Sequence, residues 1–273
     1  MRKEFSICIP TVNGKYIRES LNSIFSSGFD DFEVVVNDSS INFFVSDFIS
    51  DYDIRIIKKR TKSFESRYIT VKAARGNKIL LFDETRIMRS TLLEKLNRMQ
   101  NSMVVIGERE LGKGIITFIS NLDKKSLHDN AQFLNPFKNK SIIPRFYDRT
   151  LIIKAMQNIS MNLPVELLKK VVGLDLELIY LESYNISNDI GIIPTQEIMH
   201  YGDESISSVF EKYYRYGHTQ GMLRDTCYQN FANLSGRNRS TSSFRNRLLS
   251  LPLQIVRGVP FLLGYISGGK EHL

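Results

Sequence analysis

Cysteine is scarce in this chain. It holds two, Cys8 and Cys227, far apart in sequence, and two such residues make neither a disulfide framework nor a zinc site. Reduced thiols are the expectation, and they fit a cytoplasmic chain. An apolar leader is lacking too. Met1-Arg2-Lys3-Glu4 runs directly into a strand-like segment, whereas a secretory signal needs an apolar stretch of about 7–15 residues. Internal repeats and low-complexity segments are missing. The apolar stretch Leu248 to Ile266 is interrupted by Pro252, Gln254, Arg257, Gly258 and Pro260. A membrane-spanning helix wants about 20 apolar residues with few charges, and Arg257 near the middle would be costly in hydrocarbon. Acidic residues fall short of basic ones, 29 against 37, leaving a net charge of +8. That excess points to an anionic partner: a phosphate-bearing substrate, nucleic acid or an acidic membrane surface.

What is present reads as a globular α/β chain. Its 273 residues suffice for one large domain with an extension, or at most two small domains. Short β-rich runs recur at Phe5–Pro10, Phe32–Asp38, Ile54–Lys59, Lys78–Asp83, Met103–Glu108 and Gly114–Ser120. Several are near-continuous in Val, Ile, Leu and Phe, as strands covered on both faces are. Between them Tyr16, Ile17, Leu21, Ile24 and Phe25 share one helical face, and so do Leu92, Leu93, Leu96 and Met99, with Ser90 or Thr91 able to cap. The alternation predicts a doubly wound, mostly parallel sheet with helices on both faces. Ligands of such sheets bind beyond the carboxyl ends of the strands. Here those ends read Pro10-Thr11-Val12-Asn13, Asn37-Asp38-Ser39-Ser40 and Asp83-Glu84-Thr85.

From about Ser120 to Lys140 the chain is polar and aperiodic, which predicts a loop over the active face. Helices are expected at Thr150–Ile159, Pro164–Val172 and Asp175–Ser183, and a longer one capped by Asp203. After about residue 220 the character changes. Arg237, Arg239, Arg245 and Arg247 precede the apolar stretch. An interfacial membrane segment beside a basic patch is the expectation. The plainer alternative packs Val256, Phe261, Leu262 and Leu263 on the domain or on another subunit, as in a homo-oligomer.

A series of motifs falls in a definite order. Phe5-Ser6-Ile7-Cys8-Ile9-Pro10-Thr11-Val12-Asn13-Gly14 is followed by Ser20-Leu21-Asn22-Ser23-Ile24 and Glu33-Val34-Val35-Val36-Asn37-Asp38-Ser39-Ser40. Then come Lys78-Ile79-Leu80-Leu81-Phe82-Asp83-Glu84-Thr85, Gly173-Leu174-Asp175-Leu176-Glu177-Leu178, Ile198-Met199-His200 and Lys212-Tyr213-Tyr214-Arg215-Tyr216-Gly217. Together they resemble the family 2 glycosyltransferases, which have the GT-A fold. The likeness covers about residues 4 to 220 and implies a GT-A-like catalytic domain over residues 1–220; the basic, apolar tail itself gives the expectation of a helical extension over 221–273 that meets a membrane surface or another subunit. The likeness implies an inverting transferase that moves a sugar from a nucleoside-diphosphate donor to an acceptor hydroxyl or phosphate; the tail adds the expectation that the acceptor is a lipid-linked one or another glycan met at the cytoplasmic face of a membrane.

Pro10, Thr11, Asn13, Asp38 and Arg67 would then frame the nucleotide. Asp83 and Glu84, with Thr85 as a neutral oxygen ligand and His200 as a further one, would hold Mg²⁺ or Mn²⁺ against the diphosphate. Asp175 would be the base, with Glu177 in reserve. Two departures stand out: Thr85 replaces the last Asp of the family's Asp-x-Asp motif, and Leu174 stands where the family often has Glu. Other roles stay open. Asp38 and Asp175 also suit helix caps, His200 a partly buried histidine, Arg67 a solvated helix position, and the Tyr213, Tyr214, Tyr216 group a packing face. A nucleotidyltransferase would need a richer Gly and Lys/Arg loop than Gly14-Lys15. A silent scaffold on the same fold is the rival from another class. No aromatic–basic motif supports nucleic-acid binding.

Overall fold

The computed structural model describes residues 3–129, 134–137, 142–202, 205–233 and 244–269. The chain opens with β1 (Phe5–Thr11), α1 (Ile17–Phe25), β2 (Phe32–Asp38), a 3-10 turn at Ile41–Phe43, α2 (Phe44–Phe48), β3 (Arg55–Lys58), α3 (Ser63–Ala73), β4 (Lys78–Leu81), β5 (Arg86–Met88), α4 (Leu92–Asn97) and β6 (Met103–Leu111). It continues with α5 (Ile115–Asp129), β7 (Phe146–Asp148), α6 (Arg149–Asn162), α7 (Val165–Lys170), α8 (Asp175–Ile186), β8 (Ile190–Tyr201), α9 (Ile206–Met222), α10 (Gln229–Ala232) and α11 (Phe244–Gly268).

Among the described residues one eight-stranded sheet runs β3-β2-β1-β4-β7-β6-β8-β5. β3, β2, β1 and β4 are mutually parallel. β7 runs against both β4 and β6, β8 is parallel to β6, and β5 closes the edge antiparallel to β8. Side chains alternate faces along a strand, so the apolar runs supply two cores. Cys8, Ile79 and Leu81 face a core built with α3, α6 and α8, while Ile7, Ile9, Leu80 and Phe82 face one built with α1 and α4. Met222, Leu223, Tyr228, Phe231 and Ala232 join the first of these. The register pairs Thr11 with Asp38, so the β1 and β2 carboxyl ends lie level and open on one edge.

Several elements differ from the sequence expectation. Gly114–Ser120 is not a strand: from Ile115 it is the start of α5, which runs to Asp129 through the expected loop. A short run rich in β-branched residues cannot be told from a helix by period alone. Here packing decides, because α11 lies against α5 and Arg257 donates to Ser120 Oγ at 2.6 Å. β7 and the long β8 went unread. Pro194 argues against a strand, yet β8 absorbs it at a bulge beside Gly107, where an added Cβ would lie 2.8 Å from the Pro194 carbonyl oxygen. Pro164 stands just before α7 instead of within its first turn. The cap of α9 is Ser205, which exchanges bonds with Ser208; Asp203 lies outside the described residues, as do Arg237 and Arg239.

α11 is one continuous helix with Pro252 and Pro260 inside it. It packs on α9 through glycines. A Cβ on Gly217 would lie 1.9 Å from the Phe261 carbonyl oxygen, and one on Gly264 would lie 2.1 Å from that of Tyr214. Gly221 meets Tyr265 and Gly268 meets His218 in the same manner. Four residues along one helix thus match four along the other, and the two run parallel with backbones touching. Overpacking a core costs about 1–3 kcal/mol, and here the obstacle is rigid backbone. Gly264→Leu is therefore expected to lower the denaturant midpoint and release α11 to proteolysis. Gly258, with nothing within 4 Å of its added Cβ, is the contrast: Gly258→Ala should be neutral or raise stability by up to about 1 kcal/mol. Equal behaviour of the two variants would mean that the helices do not pack this way.

The outward side of α11 is apolar. Leu251, Ile255, Val259, Leu262 and Ile266 are exposed. Among the described residues no helix is long and apolar enough to cross a membrane.

Candidate active site at the carboxyl edge of the sheet

Asp83 follows β4, the strand between parallel β1 and antiparallel β7, and three guanidinium groups converge on it. Arg67, from α3, places Nη2 2.6 Å from Oδ1. Arg86, the first residue of β5, places Nη1 2.8 Å from Oδ2, and Arg145, just before β7, lies 3.4 Å from the same oxygen. Arg67 also donates from Nε to Asp175 Oδ2 at 2.5 Å, so one side chain ties the β4 end to the start of α8. Behind this group Glu108 accepts from Arg145 Nε and lies 3.4 Å from Arg86 Nε. Lys124 stands 3.3 Å from Glu110 and 3.9 Å from Glu108. The three arginine side chains are each 8% exposed and Asp83 is 20% exposed, so the carboxylate is the most open member of the quartet.

The electrostatics follow from this crowding. Burial pushes the Asp83 carboxyl up, but Arg67, Arg86 and Arg145 outweigh it and hold it below the usual carboxylate range. Glu108 is likewise held well below its ordinary value, burial being overcome by Arg145, Arg86 and Lys124. Arg86 is lowered as well, which for a guanidinium disfavours the charged form. Burial lowers it, the neighbouring Arg145 lowers it further, and Glu108 and Asp83 do not fully compensate. His200 pairs across strands with Arg86. Burial, then Arg86 and Lys124, hold its imidazole well below the ordinary value, which leaves it neutral at pH 7.

The β1 loop forms a second group. Glu84 does not face the arginines. Its Oε2 accepts from Thr11 Oγ1 and, at 3.2 Å, from the Gly14 amide. Burial raises its carboxyl, with the Thr11 and Gly14 bonds in partial opposition. Gly14 has φ +64°, a conformation that favours glycine. Asn13 Oδ1 accepts from the Lys15 amide at 3.0 Å, an Asx turn that shapes the loop after the half-buried Pro10. Tyr16 and Tyr201 stack with ring centroids 3.9 Å apart, which ties this loop to the end of β8.

Asp38 is fully buried and both its oxygens are spent. Oδ1 accepts from the Ser40 amide at 2.8 Å, and Oδ2 from the Ser46 amide and hydroxyl at 2.7 Å each. Burial raises its carboxyl, but the Ser40 and Ser46 bonds prevail and lower it. In this geometry Asp38 organises the loop after β2 and presents no carboxylate to a nucleotide. Asp38→Ala strands the two amides, and an unsatisfied buried group costs about 1–3 kcal/mol. The expected result is a loss of that size in chemical denaturation. An unchanged midpoint would count against the clamp.

Of the residues expected from sequence, Arg67, Asp83 and Asp175 come together; Arg67 is a buried bridge and not a solvated helix residue. Asp175 does not cap its helix: α8 is preceded by Leu174 at the cap and shows no side-chain cap bond. The expected metal set of Asp83, Glu84, Thr85 and His200 is not assembled. Both Asp83 oxygens carry guanidiniums, Glu84 turns to the β1 loop, and the Thr85 carbonyl accepts from the Tyr201 amide. Among the described residues no group of three His, Cys, Asp or Glu is placed to hold a metal ion. This donor set does not fit a divalent cation. Arg86, Glu108, Lys124 and Arg145 were not read from the sequence. Only Arg86, next to Thr85 in the quoted motif, carried a signal: a cation where a metal motif would gather anions.

No protein-family model matches the sequence, and no curated protein matches it. Solved structures do. S. aureus TarS 1-349 in complex with UDP-GlcNAc aligns at 17% identity and TM-score 0.57, over 98% of this chain and 91% of that one. A mannosyltransferase from Pyrobaculum calidifontis, PcManGT, in complex with GDP-Man and Mn²⁺, aligns at 14% identity and TM-score 0.56, over 99% and 86%. At such identities the likeness speaks for architecture: the chain has a GT-A-like fold, shared with proteins solved with nucleotide sugars in place.

Proposed function

We propose that this chain is a glycosyltransferase that moves a sugar from a nucleoside-diphosphate donor to an acceptor hydroxyl or phosphate, with inversion at the anomeric carbon. One observation carries the reading: Asp83 and Asp175 are drawn together by Arg67 at the edge where ligands of such sheets bind. Asp175 is the base. Its carboxylate takes the proton of the acceptor hydroxyl as the oxygen attacks the anomeric carbon, and the nucleoside diphosphate departs from the opposite face. The likeness to proteins solved with UDP-GlcNAc and GDP-Man supports a nucleotide-sugar donor. The latter neighbour holds Mn²⁺; the donor set here does not fit a divalent cation, and no step is assigned to one.

The test of the reaction is incubation of the full chain with UDP-GlcNAc and with GDP-Man, with nucleoside diphosphate release as the readout. Release above the uncatalysed rate for either donor supports an enzyme. Tight binding without release would favour the silent scaffold.

The acceptor side rests on the extension from residue 221. The exposed row Leu251, Ile255, Val259, Leu262 and Ile266 on α11 and the Arg-rich sequence ahead of it suit a helix lying in an anionic membrane surface, so the acceptor in this reading is lipid-linked and the enzyme works on the cytoplasmic face. Full chain should co-sediment with vesicles containing phosphatidylserine better than with neutral ones, and salt should weaken the binding without abolishing it. Ile255→Glu with Ile266→Glu should remove most of it and leave donor binding unchanged. Equal binding by variant and parent would return the acceptor to a soluble glycan or protein.

A further inference from the structure

The arginine cluster has more donors than its partners use. Arg67 Nη1 and Arg86 Nε are buried and donate no hydrogen bond. All three guanidiniums converge on Asp83, with Asp175 and Glu108 holding them from the sides. The stretch Asp83-Glu84-Thr85-Arg86 explains how this arose. A metal motif at the end of such a strand gathers carboxylates. Here Thr85 is neutral, Glu84 is turned to Gly14 and Thr11, and the next residue is itself a cation.

We propose that Arg67, Arg86 and Arg145 form the diphosphate site of the donor and take the place of a divalent cation. The inference rests on the function proposed above. Asp83 occupies the position that an anion would share. A guanidinium is planar, stays charged and matches phosphate oxygens with paired N–H donors. Three of them, fixed by Asp83, Asp175 and Glu108, are already oriented and need no rearrangement when charge develops. In transfer, the bond from the anomeric carbon to the β-phosphate oxygen breaks. Its electron pair stays on that oxygen, beside the arginines, while the acceptor oxygen forms the new bond and its proton passes to Asp175. Arg86, depressed by burial first and by Arg145 second, fits a site that added negative charge would favour.

Calorimetric titration of the full chain with UDP-GlcNAc, GDP-Man and inorganic pyrophosphate, in EDTA and in Mn²⁺, tests this. A donor is expected to bind in EDTA within about twofold of its affinity in Mn²⁺. Arg86→Gln should weaken donor and pyrophosphate about 10–100-fold, the span of one charged hydrogen-bonded pair, while the exposed Arg98→Gln leaves both unchanged. Arg86→Lys, which keeps the charge, serves if the Gln variant does not fold, and should fall between; the EDTA arm needs no variant. Donor binding that appears only with Mn²⁺ overturns the inference and leaves the proposed function standing. Normal binding by Arg86→Gln also overturns it. Failure of every probe in both buffers overturns the inference and the proposed function together.

Discussion

Asp175→Asn should cut nucleoside diphosphate release in the presence of acceptor by about 10²–10⁴-fold, the usual contribution of a general base. The amide keeps the shape of the side chain and an oxygen that accepts from Arg67 Nε, now 2.5 Å from Asp175 Oδ2. It removes only the carboxylate that takes the proton. Donor affinity should therefore change little, since the amide oxygen still holds Arg67 in place, and the loss should appear in kcat. Glu177→Gln is the comparison. Glu177 sits in the same first turn of α8, so the two variants perturb the helix start alike and differ in which carboxylate is lost. If Glu177→Gln is crippled and Asp175→Asn is not, the base moves by two residues. If both retain the parent rate, neither acidic side chain is the base.

The parts of the fold legible in sequence were those governed by local periodicity. β1, β2 and β4 are near-continuous apolar runs buried on both faces, and their ends carry Thr11, Asp38 and Asp83 where expected. α1 showed its buried row of Ile17, Leu21 and Ile24. What failed depended on partners distant in sequence. α5 begins in a segment with strand-like composition and is a helix because β6 and α11 flank it. β8 contains Pro194 and survives as a strand because Gly107 leaves room for a bulge. The packing of α11 on α9 depends on glycine contacts that no local pattern displays.

The site divides along the same line. Arg67, Asp83 and Asp175 were legible because each lies in a short motif. Their relation was not. Asp83 and Glu84 are adjacent, so sequence suggests one ligand pair, yet the chain turns here, with the Arg86 amide donating to the Asp83 carbonyl at 3.0 Å, and the two side chains part. One meets Arg67, Arg86 and Arg145, and the other meets Thr11 and Gly14. Asp38 shows the converse. Its place after a strand suggested a ligand contact, and the serines two and eight residues onward consume its oxygens. Adjacency fixes which residues are near the site, and tertiary partners fix which of them remain available to a ligand.

Arg67 gives the sharpest test of that arrangement as a structural unit. Arg67→Met keeps most of the apolar stem and removes the bridge, so Asp83 and Asp175 lose a shared cation in a place where all three side chains are at most 20% exposed. Breaking a buried pair by removing one partner costs about 3–5 kcal/mol, because the remaining charge is left without compensation. The expected loss at pH 7 lies in that range, read from chemical denaturation. It should depend on pH in a definite sense. The folded Asp83 carboxyl is depressed below its ordinary value, chiefly by Arg67 once burial is overcome, so its stabilising contribution is present above an unfolded pKa of about 3.9. That contribution fades as pH falls through the folded value. The variant has less of it to lose. The gap between parent and Arg67→Met should therefore be full from pH 7 down to about 4 and narrow below that. Arg86 and Arg145 remain beside Asp83 in the variant, so the narrowing should be partial. A gap that stays constant from pH 7 to pH 3 would trace the loss to packing of the Arg67 stem and remove the ion pair as its source.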